Sequence, residues 1–440
     1  MPEDTRPQPS RFFRWMVLIV VSSTMFGNYY VYDCIAPIAD LLSKQLGFSD
    51  SNIGLLQAIY SFPNIIMVLI GGVIVDRIGT RKSIFIFGTL CLFGAVVTAL
   101  SPMLGVMATG RLIFGLGAES LIVAVTTAIA KWFKGKELSF AFGINLTVSR
   151  LGSLLAQNSP TWARSAYTNW RNPLFISIAF CTFCVTGALV YWAMEAYSEK
   201  RHNLGHGTTD KVVWSDVKAF GLSYWYVVAL CIVFYSGIFP FETFAYKFFI
   251  DAHHATREVS GNLVGILTLF AMFGTPLFGL FVDRVGRRAL LMMFGSMLLI
   301  PVYLMMAYLP STHHLLLHIP LYGTWDFPLL LLVTMAMMGI AFSLVPAILW
   351  PAVAYLVDQS KLGTAYGLMT MIQNIGLTAF NLLIGWANDY SHAGPENPAG
   401  YHLGMQIFSI LGFLGVLFAL LLRQREKGPH GLESITTASA

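Results

Sequence analysis

Apolar stretches alternate with short polar segments along almost the whole chain. Twelve of these stretches are about 20 residues long, the length that an α-helix needs to cross a bilayer. The pattern predicts membrane-spanning helices at 14–37, 52–76, 83–101, 104–131, 138–162, 172–194, 223–250, 259–282, 289–309, 327–356, 362–388 and 402–422. We therefore expect an all-α integral membrane protein with an N-terminal six-helix bundle at 14–194, a linker at 195–222, a C-terminal six-helix bundle at 223–422 and a tail at 423–440.

Composition and charge support a membrane protein and give its orientation. Hydrophobic residues make up 56% of the 440 residues and charged residues 11%, whereas soluble domains carry about 25% charged residues. Of the 27 Lys and Arg residues, 20 fall in the N-terminal arm, the even-numbered loops and the C-terminal tail. Because basic residues accumulate on the cytoplasmic side, both termini, the linker and the tail are predicted to be cytoplasmic. The net charge of +5 is then spread over separate loops, which does not suggest nucleic-acid binding.

Two sequence motifs recur in the two predicted bundles. The loop after the second span reads GGVIVDRIGTRK and the loop after the eighth reads FGLFVDRVGRRA, so that Asp76 aligns with Asp283 at an offset of 207 residues. A second match aligns LSFAFGINLTVSRLG from Leu138 with LGTAYGLMTMIQNIG from Leu362 at an offset of 224. Parallel repeats of this kind are typical of secondary transporters, whose substrate sites lie near the middle of the membrane.

These motifs also carry a resemblance to a known family. The G-x-x-x-D-R-x-G-x-R loop and the sequence GRLIFGLG in the fourth span resemble signatures of the major facilitator superfamily. Eight strings in the same order are similar to those of its lysosomal dipeptide transporters: FGNYYVYD, YSFPN, GRLIFGLGAESL, WFKGKEL, SRLGS, IFPF, LWPAVA and LGTAYGLMTMIQNIGL. The resemblance implies the major facilitator fold and facilitated, uncoupled transport of dipeptides by rocker-switch alternating access.

Two opposite charges interrupt the apolar fourth and fifth spans. Glu119 and Arg150 each lie roughly 18 Å from the cytoplasmic ends of their predicted helices, near the middle of the membrane. One interpretation is a structural salt bridge, since intramembrane charges are usually paired. The other is a zwitterion clamp, in which Glu119 binds the ammonium group of a dipeptide and the planar guanidinium of Arg150 binds its carboxylate. The resemblance favours the clamp, because both positions match peptide-contacting residues of that family.

The C-terminal half has neutral residues at the corresponding positions. At the offset of 224, Ser343 corresponds to Glu119 and Asn374 corresponds to Arg150. This difference fits an asymmetric substrate whose two termini are held by the N-terminal half. Aromatic and amide side chains complete the predicted substrate-binding set, and each of them is also consistent with helix packing: Tyr29, Tyr30, Tyr60, Trp350, Tyr366, Gln373 and Asn374.

A second group of charges is predicted to control the conformational change. Arg111 is either a switch residue, as the resemblance implies, or packs against backbone carbonyl groups. Asp33 and Lys247 lie near the outer ends of the first and seventh spans and form either an outer gate pair or two solvated interfacial charges. The charges of the two repeated loops are candidates for an inner gate: Asp76, Arg77, Arg81, Asp283, Arg284 and Arg288.

Glu242 leaves the type of transport open. The resembling family tends to have an uncharged residue at this position, so Glu242 is a candidate proton carrier. The alternative to uniport is therefore a proton-coupled carrier of organic anions or amino acids, with Arg150 binding the anion. A substrate-sensing receptor without transport is a further alternative, which the short linker and tail disfavour.

Other chemistry is not expected from this sequence. There is no Walker loop and no set of nucleophile, base and orienting residue, so we predict no ATP-driven transport, no enzyme and no cofactor. His313, His314 and His318 have no neighbouring cysteine or acid, so no metal site is predicted there.

The sequence also suggests where the protein resides. The arm MPEDTRPQPS has no acidic dileucine signal, and the only glycosylation-type triplet, at Asn145, lies inside a span. These features favour a bacterial inner membrane, with the lysosomal membrane as the alternative. We expect a monomer whose partners are dipeptides and the lipid bilayer, without an accessory subunit.

Overall fold

The protein is described by a computed structural model that covers residues 9–133, 137–202, 213–319 and 323–425. Residues 203–212 of the predicted linker and 426–440 of the predicted tail lie outside the described residues. Within the described ranges the chain is almost entirely helical.

Helices of 20 to 32 residues occupy all twelve predicted spans, and two short helices lie between them. In chain order they are α1 (Arg11–Asp33), α2 (Ala39–Leu46), α3 (Asp50–Ile78), α4 (Thr80–Leu100), α5 (Leu104–Phe133), α6 (Leu138–Gln157), α7 (Ser159–Trp162), α8 (Arg171–Arg201), α9 (Leu222–His253), α10 (Arg257–Val285), α11 (Arg288–Tyr308), α12 (Leu329–Leu356), α13 (Leu362–Tyr390) and α14 (His402–Arg425). Short 3₁₀ helices occur at Ala36–Ile38, Arg164–Thr168, Trp214–Ala219, Gln359–Lys361 and Pro398–Tyr401.

The one sheet of the described residues is a hairpin between α11 and α12. Its strands are β1 (His314–Ile319) and β2 (Gly323–Pro328), which pair antiparallel with Leu316 opposite Asp326. His314 and His318 bond across this hairpin to Asp326 and Thr324, at 2.8 Å and 3.3 Å.

Ten of the described helices are long and apolar enough to cross a membrane by length and composition. The two remaining long helices, α1 and α6, contain polar residues such as Asn28 and Arg150 within their apolar runs. Both polar residues therefore reduce the apolar signal of helices that belong to the predicted set. The all-α, multi-spanning architecture predicted from the sequence is confirmed.

Local sequence explains where several helices begin and end. Ser10 caps the start of α1, where its hydroxyl accepts a hydrogen bond from the Phe13 amide at 3.3 Å. Thr256 does the same for α10 through the Val259 amide. Gly47 ends α2 with a φ of 70°, a conformation that glycine adopts without the steric cost of a Cβ atom.

The chain divides into two compact units. The first unit consists of the described residues within Met1–Cys34, Ile59–Ala156 and Arg171–Lys211. In this unit α4 packs against α5 and α8, and α1 packs against α8. Close helix approach is allowed by small residues, since a Cβ atom at Gly88 would lie 2.5 Å from the carbonyl oxygen of Cys184.

The second unit consists of the described residues within Ile35–Ala58, Gln157–Trp170 and Val212–Ala440. Helix α9 is its most buried helix and packs against α13 and α14, while α11 packs against α12 and α14. Two segments of the N-terminal half of the sequence, 35–58 and 157–170, belong to this unit. The domain boundaries predicted from the sequence stay a prediction.

Candidate functional site

A cluster of charged and aromatic side chains lies inside the first unit. Helix α5 supplies Glu119, α6 supplies Arg150 and α1 supplies Tyr29. The Arg150 guanidinium carbon lies 5.9 Å from the centroid of the Tyr29 ring. The Tyr29 hydroxyl interacts electrostatically with Arg150, Glu119 and Asp33. The structure thus brings the two opposite charges into one cluster with Tyr29.

Glu119 has an unusual environment for a carboxylate in an apolar helix. Its side chain is partly buried. Among the residues that the structure describes, the Glu119 carboxylate has neither an ion-pair partner nor a hydrogen-bond partner. The direct salt bridge with Arg150, which was the structural alternative, is therefore not formed in this structure.

Tyr60 and Asp33 extend the cluster. Tyr60 on α3 interacts electrostatically with Glu119 and Arg111, and its ring stacks on Phe114 with a centroid distance of 5.4 Å. Asp33 at the end of α1 interacts with the side chain of Ser153 and electrostatically with Arg150 and Arg111.

Arg111 supports the end of helix α1. Its side chain is 1% exposed and donates hydrogen bonds to the carbonyl oxygens of Val31 at 3.0 Å and Tyr32 at 3.4 Å. These carbonyls belong to the last turn of α1, where they lack helical partners and carry partial negative charge. The guanidinium carbon also lies 5.2 Å from the Tyr60 ring centroid. This is the backbone-packing arrangement that the sequence left open, and a switch role for Arg111 stays a prediction.

Tyr30 packs against helix α8. It is 2% exposed and stacks on Phe180 of α8 with a centroid distance of 4.3 Å. Its ring therefore contributes to packing between α1 and α8.

Lys247, which the sequence pairs with Asp33 as a candidate outer gate, has a partner within the second unit, and its pairing with Asp33 stays a prediction. Lys247 on α9 forms its ion pair with Asp50, the first residue of α3, whose side chain is 1% exposed. Asn388 donates a hydrogen bond to the same carboxylate at 2.8 Å. The sequence missed Asp50 because an acid in the first turn of a helix is ordinarily a capping residue.

Asp389 completes this group of charges, which we call the Asp50 network (Asp50, Lys247, Asn388 and Asp389). The carboxylate of Asp389 accepts hydrogen bonds from the amides of Asp50 at 2.8 Å and Ser51 at 2.9 Å. These amides are the unpaired donors at the start of α3. Every charge of the Asp50 network is therefore satisfied within the second unit.

A second buried ion pair lies in the same unit. Asp40 on α2 is 1% exposed and pairs with Arg257 through distances of 2.5 Å to Nη2 and 3.3 Å to Nε. The Arg257 guanidinium carbon also lies 5.4 Å from the Tyr167 ring centroid. This pair joins segment 35–58 to α10. Its two residues are 217 positions apart in the sequence, so no local pattern could have predicted it.

The predicted substrate-binding residues of the C-terminal half all belong to the second unit. The indole N–H of Trp350 donates to the Tyr235 hydroxyl at 2.8 Å, and the Tyr366 hydroxyl donates to the Trp350 carbonyl at 3.1 Å. The rings of Trp350 and Tyr366 stack with centroids 6.1 Å apart. Tyr235 was missed, because one tyrosine in an aromatic-rich span carries no distinguishing sequence signal.

The two amides of that set differ in their bonding. Asn374 is buried and donates to the Thr370 carbonyl of its own helix at 3.0 Å. Gln373 is half-buried, and its side-chain oxygen lies 3.7 Å from the Cys231 sulfur. Glu242, the candidate proton carrier, is 8% exposed on α9.

The charges of the repeated loops are placed differently in the two units. In the first unit, Asp76 and Arg77 are exposed, and Arg81 pairs with Glu199 at 2.9 Å.

In the second unit, Asp283 pairs with Arg288 at 3.3 Å while Arg284 is exposed. Arg288 is 5% exposed, and its guanidinium carbon lies 4.5 Å from the Tyr355 ring centroid. Their predicted role as an inner gate is not tested by these contacts.

The chain is similar over most of its length to two curated proteins. The lysosomal dipeptide transporter MFSD1 of Danio rerio is 30% identical over 423 residues, which cover 93% of this chain and 86% of that protein. The lysosomal dipeptide transporter MFSD1 of Homo sapiens is 29% identical over 439 residues, which cover 96% of this chain and 89% of that protein.

The fold is also similar to that of solved transporters. A bacterial homologue of the human lysosomal transporter Spinster superposes with a TM-score of 0.72 at 16% identity, covering 94% of this chain and 97% of that one. The sequence profile of the Major Facilitator Superfamily matches residues 21–321 and 243–438. The chain is therefore a multi-pass membrane protein that belongs to the Major Facilitator Superfamily, and it is a transporter and not an enzyme.

Proposed function

We propose that this transporter carries dipeptides by facilitated uniport and alternating access. In this proposal Glu119 binds the N-terminal ammonium group of the peptide and Arg150 binds its C-terminal carboxylate. The observation that carries it is the cluster around Tyr29, in which two opposite charges lie together while Glu119 has no ion-pair or hydrogen-bond partner among the described residues.

Physical chemistry supports a ligand for Glu119. A carboxylate removed from water loses hydration energy, which an opposite charge must replace. An ammonium group supplies that charge and three hydrogen-bond donors. A peptide carboxylate matches the two parallel N–H groups of a guanidinium. The name of the relatives, lysosomal dipeptide transporter, points to the same class of substrate.

The clamp is tested by thermal unfolding of the purified protein with a dipeptide, its N-acetylated and C-amidated forms, and an organic anion. We expect the free dipeptide to raise the unfolding temperature far more than its blocked forms or the organic anion, and Glu119→Gln and Arg150→Ala to reduce that increase. Glu137→Gln and Arg11→Ala, which break an exposed 2.6 Å ion pair, are the matched controls and should keep it. If organic anions without an amine stabilise the protein equally well, the substrate is an anion and the dipeptide proposal is wrong.

Uniport is tested in liposomes by comparing uptake with and without an imposed pH gradient. Uptake that does not respond to the gradient supports uniport. A response that disappears in Glu242→Gln would instead assign proton coupling to Glu242.

We further propose that the Asp50 network and the Asp40–Arg257 pair form the closed outer gate. They tie segment 35–58 to α9, α10 and α13, and with cytoplasmic termini these contacts lie on the outer side. A Cβ atom at Gly385 would lie 2.6 Å from the Asp50 carbonyl oxygen, so Gly385→Leu should prevent closure.

The gate is tested with a cysteine at Ser51 and a membrane-impermeant thiol reagent added from outside. We expect Ser51→Cys to be labelled faster in the Gly385→Leu background than in the protein without that change. The protein without Ser51→Cys has only its five native cysteines and measures the background labelling. Equal labelling rates in both backgrounds would contradict the gate.

Cytoplasmic termini, a bacterial inner membrane and a monomer without an accessory subunit complete the proposal. Reporter fusions at either terminus, active on only one side of the membrane, test the orientation.

A further inference from the structure

Helix α3 lies close against α5 at two positions of the first unit. A Cβ atom at Gly115 of α5 would meet the carbonyl oxygen of Tyr60 and lie 2.9 Å from Pro63. A Cβ atom at Gly71 of α3 would lie 2.9 Å from the hydroxyl oxygen of Ser120. These two contacts define the face that each helix presents to the other.

Asn64 and Glu119 both belong to this interface. Asn64 follows Tyr60 by one helical turn and precedes Gly71 by two turns, so it points to the α5 side of α3. Glu119 follows Gly115 by one turn and directly precedes Ser120. The electrostatic interaction of Tyr60 with Glu119 places the carboxylate near this stretch of α3.

The Asn64 side chain is buried without the bonds that an amide needs. It is fully buried, at 0% exposure, and neither its nitrogen nor its oxygen has a hydrogen-bond partner among the described residues. An amide carries two donors and one acceptor, and burying them unbonded is unfavourable. Asn381 in the second unit shows the ordinary arrangement, because its nitrogen donates to Leu377 at 2.8 Å and its oxygen accepts from Thr243 at 2.9 Å.

We propose that Asn64 is a positioning residue for Glu119. When a peptide binds, the flexible Glu119 side chain turns toward α3, and the Asn64 amide donates a hydrogen bond to one carboxylate oxygen. The other oxygen then faces the peptide ammonium. This inference rests on the proposed clamp, and it explains why a polar side chain occupies a fully buried position beside the carboxylate.

The test compares Asn64→Leu with Asn381→Leu, a matched change of a buried amide that is already bonded. Without peptide, Asn64→Leu should unfold at the same temperature as the unchanged protein or higher, whereas Asn381→Leu should unfold at a lower temperature. With peptide, Asn64→Leu should bind about tenfold to a hundredfold more weakly, the loss expected for a hydrogen bond to a charged group. In the Glu119→Gln background, Asn64→Leu should have no further effect on binding.

Three outcomes would overturn the inference. The first is that Asn64→Leu lowers the unfolding temperature as much as Asn381→Leu, which would make Asn64 a bonded structural residue. The second is that Asn64→Leu binds peptide normally while Glu119→Gln does not. The clamp would then stand, and only the role of Asn64 in it would be wrong. The third is that Asn64→Leu and Glu119→Gln weaken peptide binding additively, which would mean that Asn64 does not act through Glu119. If instead the clamp proposal itself is wrong, Glu119→Gln will bind the peptide normally.

Discussion

Two acidic side chains, Asp50 in the second unit and Glu119 in the first, have opposite surroundings. In the second unit, Asp50 has Lys247 and Asn388 as partners, and Asp389 is bonded to two backbone amides. In the first unit, Glu119 has no such partner among the described residues, although Arg150 belongs to the same cluster. A carboxylate with ion-pair and hydrogen-bond partners inside the protein stabilises helix packing. A carboxylate without such partners is available to a ligand.

The largest expected effect is on the satisfied charges. Lys247→Met leaves the Asp50 carboxylate buried without its cation, and removing one partner of a buried ion pair costs about 3–5 kcal/mol. We therefore expect a clearly lower temperature of thermal unfolding in the absence of peptide. Adding Asp50→Asn to Lys247→Met should recover part of the loss, because the uncompensated charge is then removed.

This prediction would fail if Lys247→Met unfolded at the temperature of the unchanged protein. The Asp50 network would then contribute no stability, and the contrast between Asp50 and Glu119 would disappear.

The smallest expected effect is at Glu119. Glu119→Gln removes a partly buried carboxylate that forms no bond to a described residue, so the peptide-free protein should unfold at the same temperature as the unchanged protein or slightly higher, a change of about 0.5 kcal/mol or less. If Glu119→Gln lowered the unfolding temperature as much as Lys247→Met, Glu119 would stabilise the fold through contacts of its own, and the clamp would lose its main support.

Much of the fold follows from the sequence because the bilayer simplifies the problem. A spanning segment must be helical and apolar, so hydropathy alone locates the helices. The exceptions have local causes. Helix α8 continues beyond the predicted end at 194 to Arg201, because its amphipathic last turns contain charged residues that a hydropathy window excludes. The predicted fifth span ends at 162, whereas α6 ends at Gln157 and Ser159–Trp162 form a separate turn of helix.

The site was less predictable than the fold. Depth within a helix placed Glu119 and Arg150 at one level, and the structure brings both to Tyr29. The sequence offered Asp33 as a partner of Lys247 and gave no signal for Asp50, which forms the ion pair with Lys247 within the second unit. Asn64 and Tyr235 were missed, because a single polar residue in an apolar span does not reveal whether its bonds are made. That information lies in side-chain packing, which a linear pattern does not contain.

The central claim is that Glu119 binds the peptide ammonium group. The most direct test is calorimetric binding of a dipeptide and its N-acetylated form to the unchanged protein and to Glu119→Gln. We predict that acetylation weakens binding strongly in the unchanged protein and very little in Glu119→Gln, because the group that senses the ammonium is already gone. If acetylation weakens binding to both proteins by the same factor, the ammonium is recognised elsewhere and the claim is contradicted.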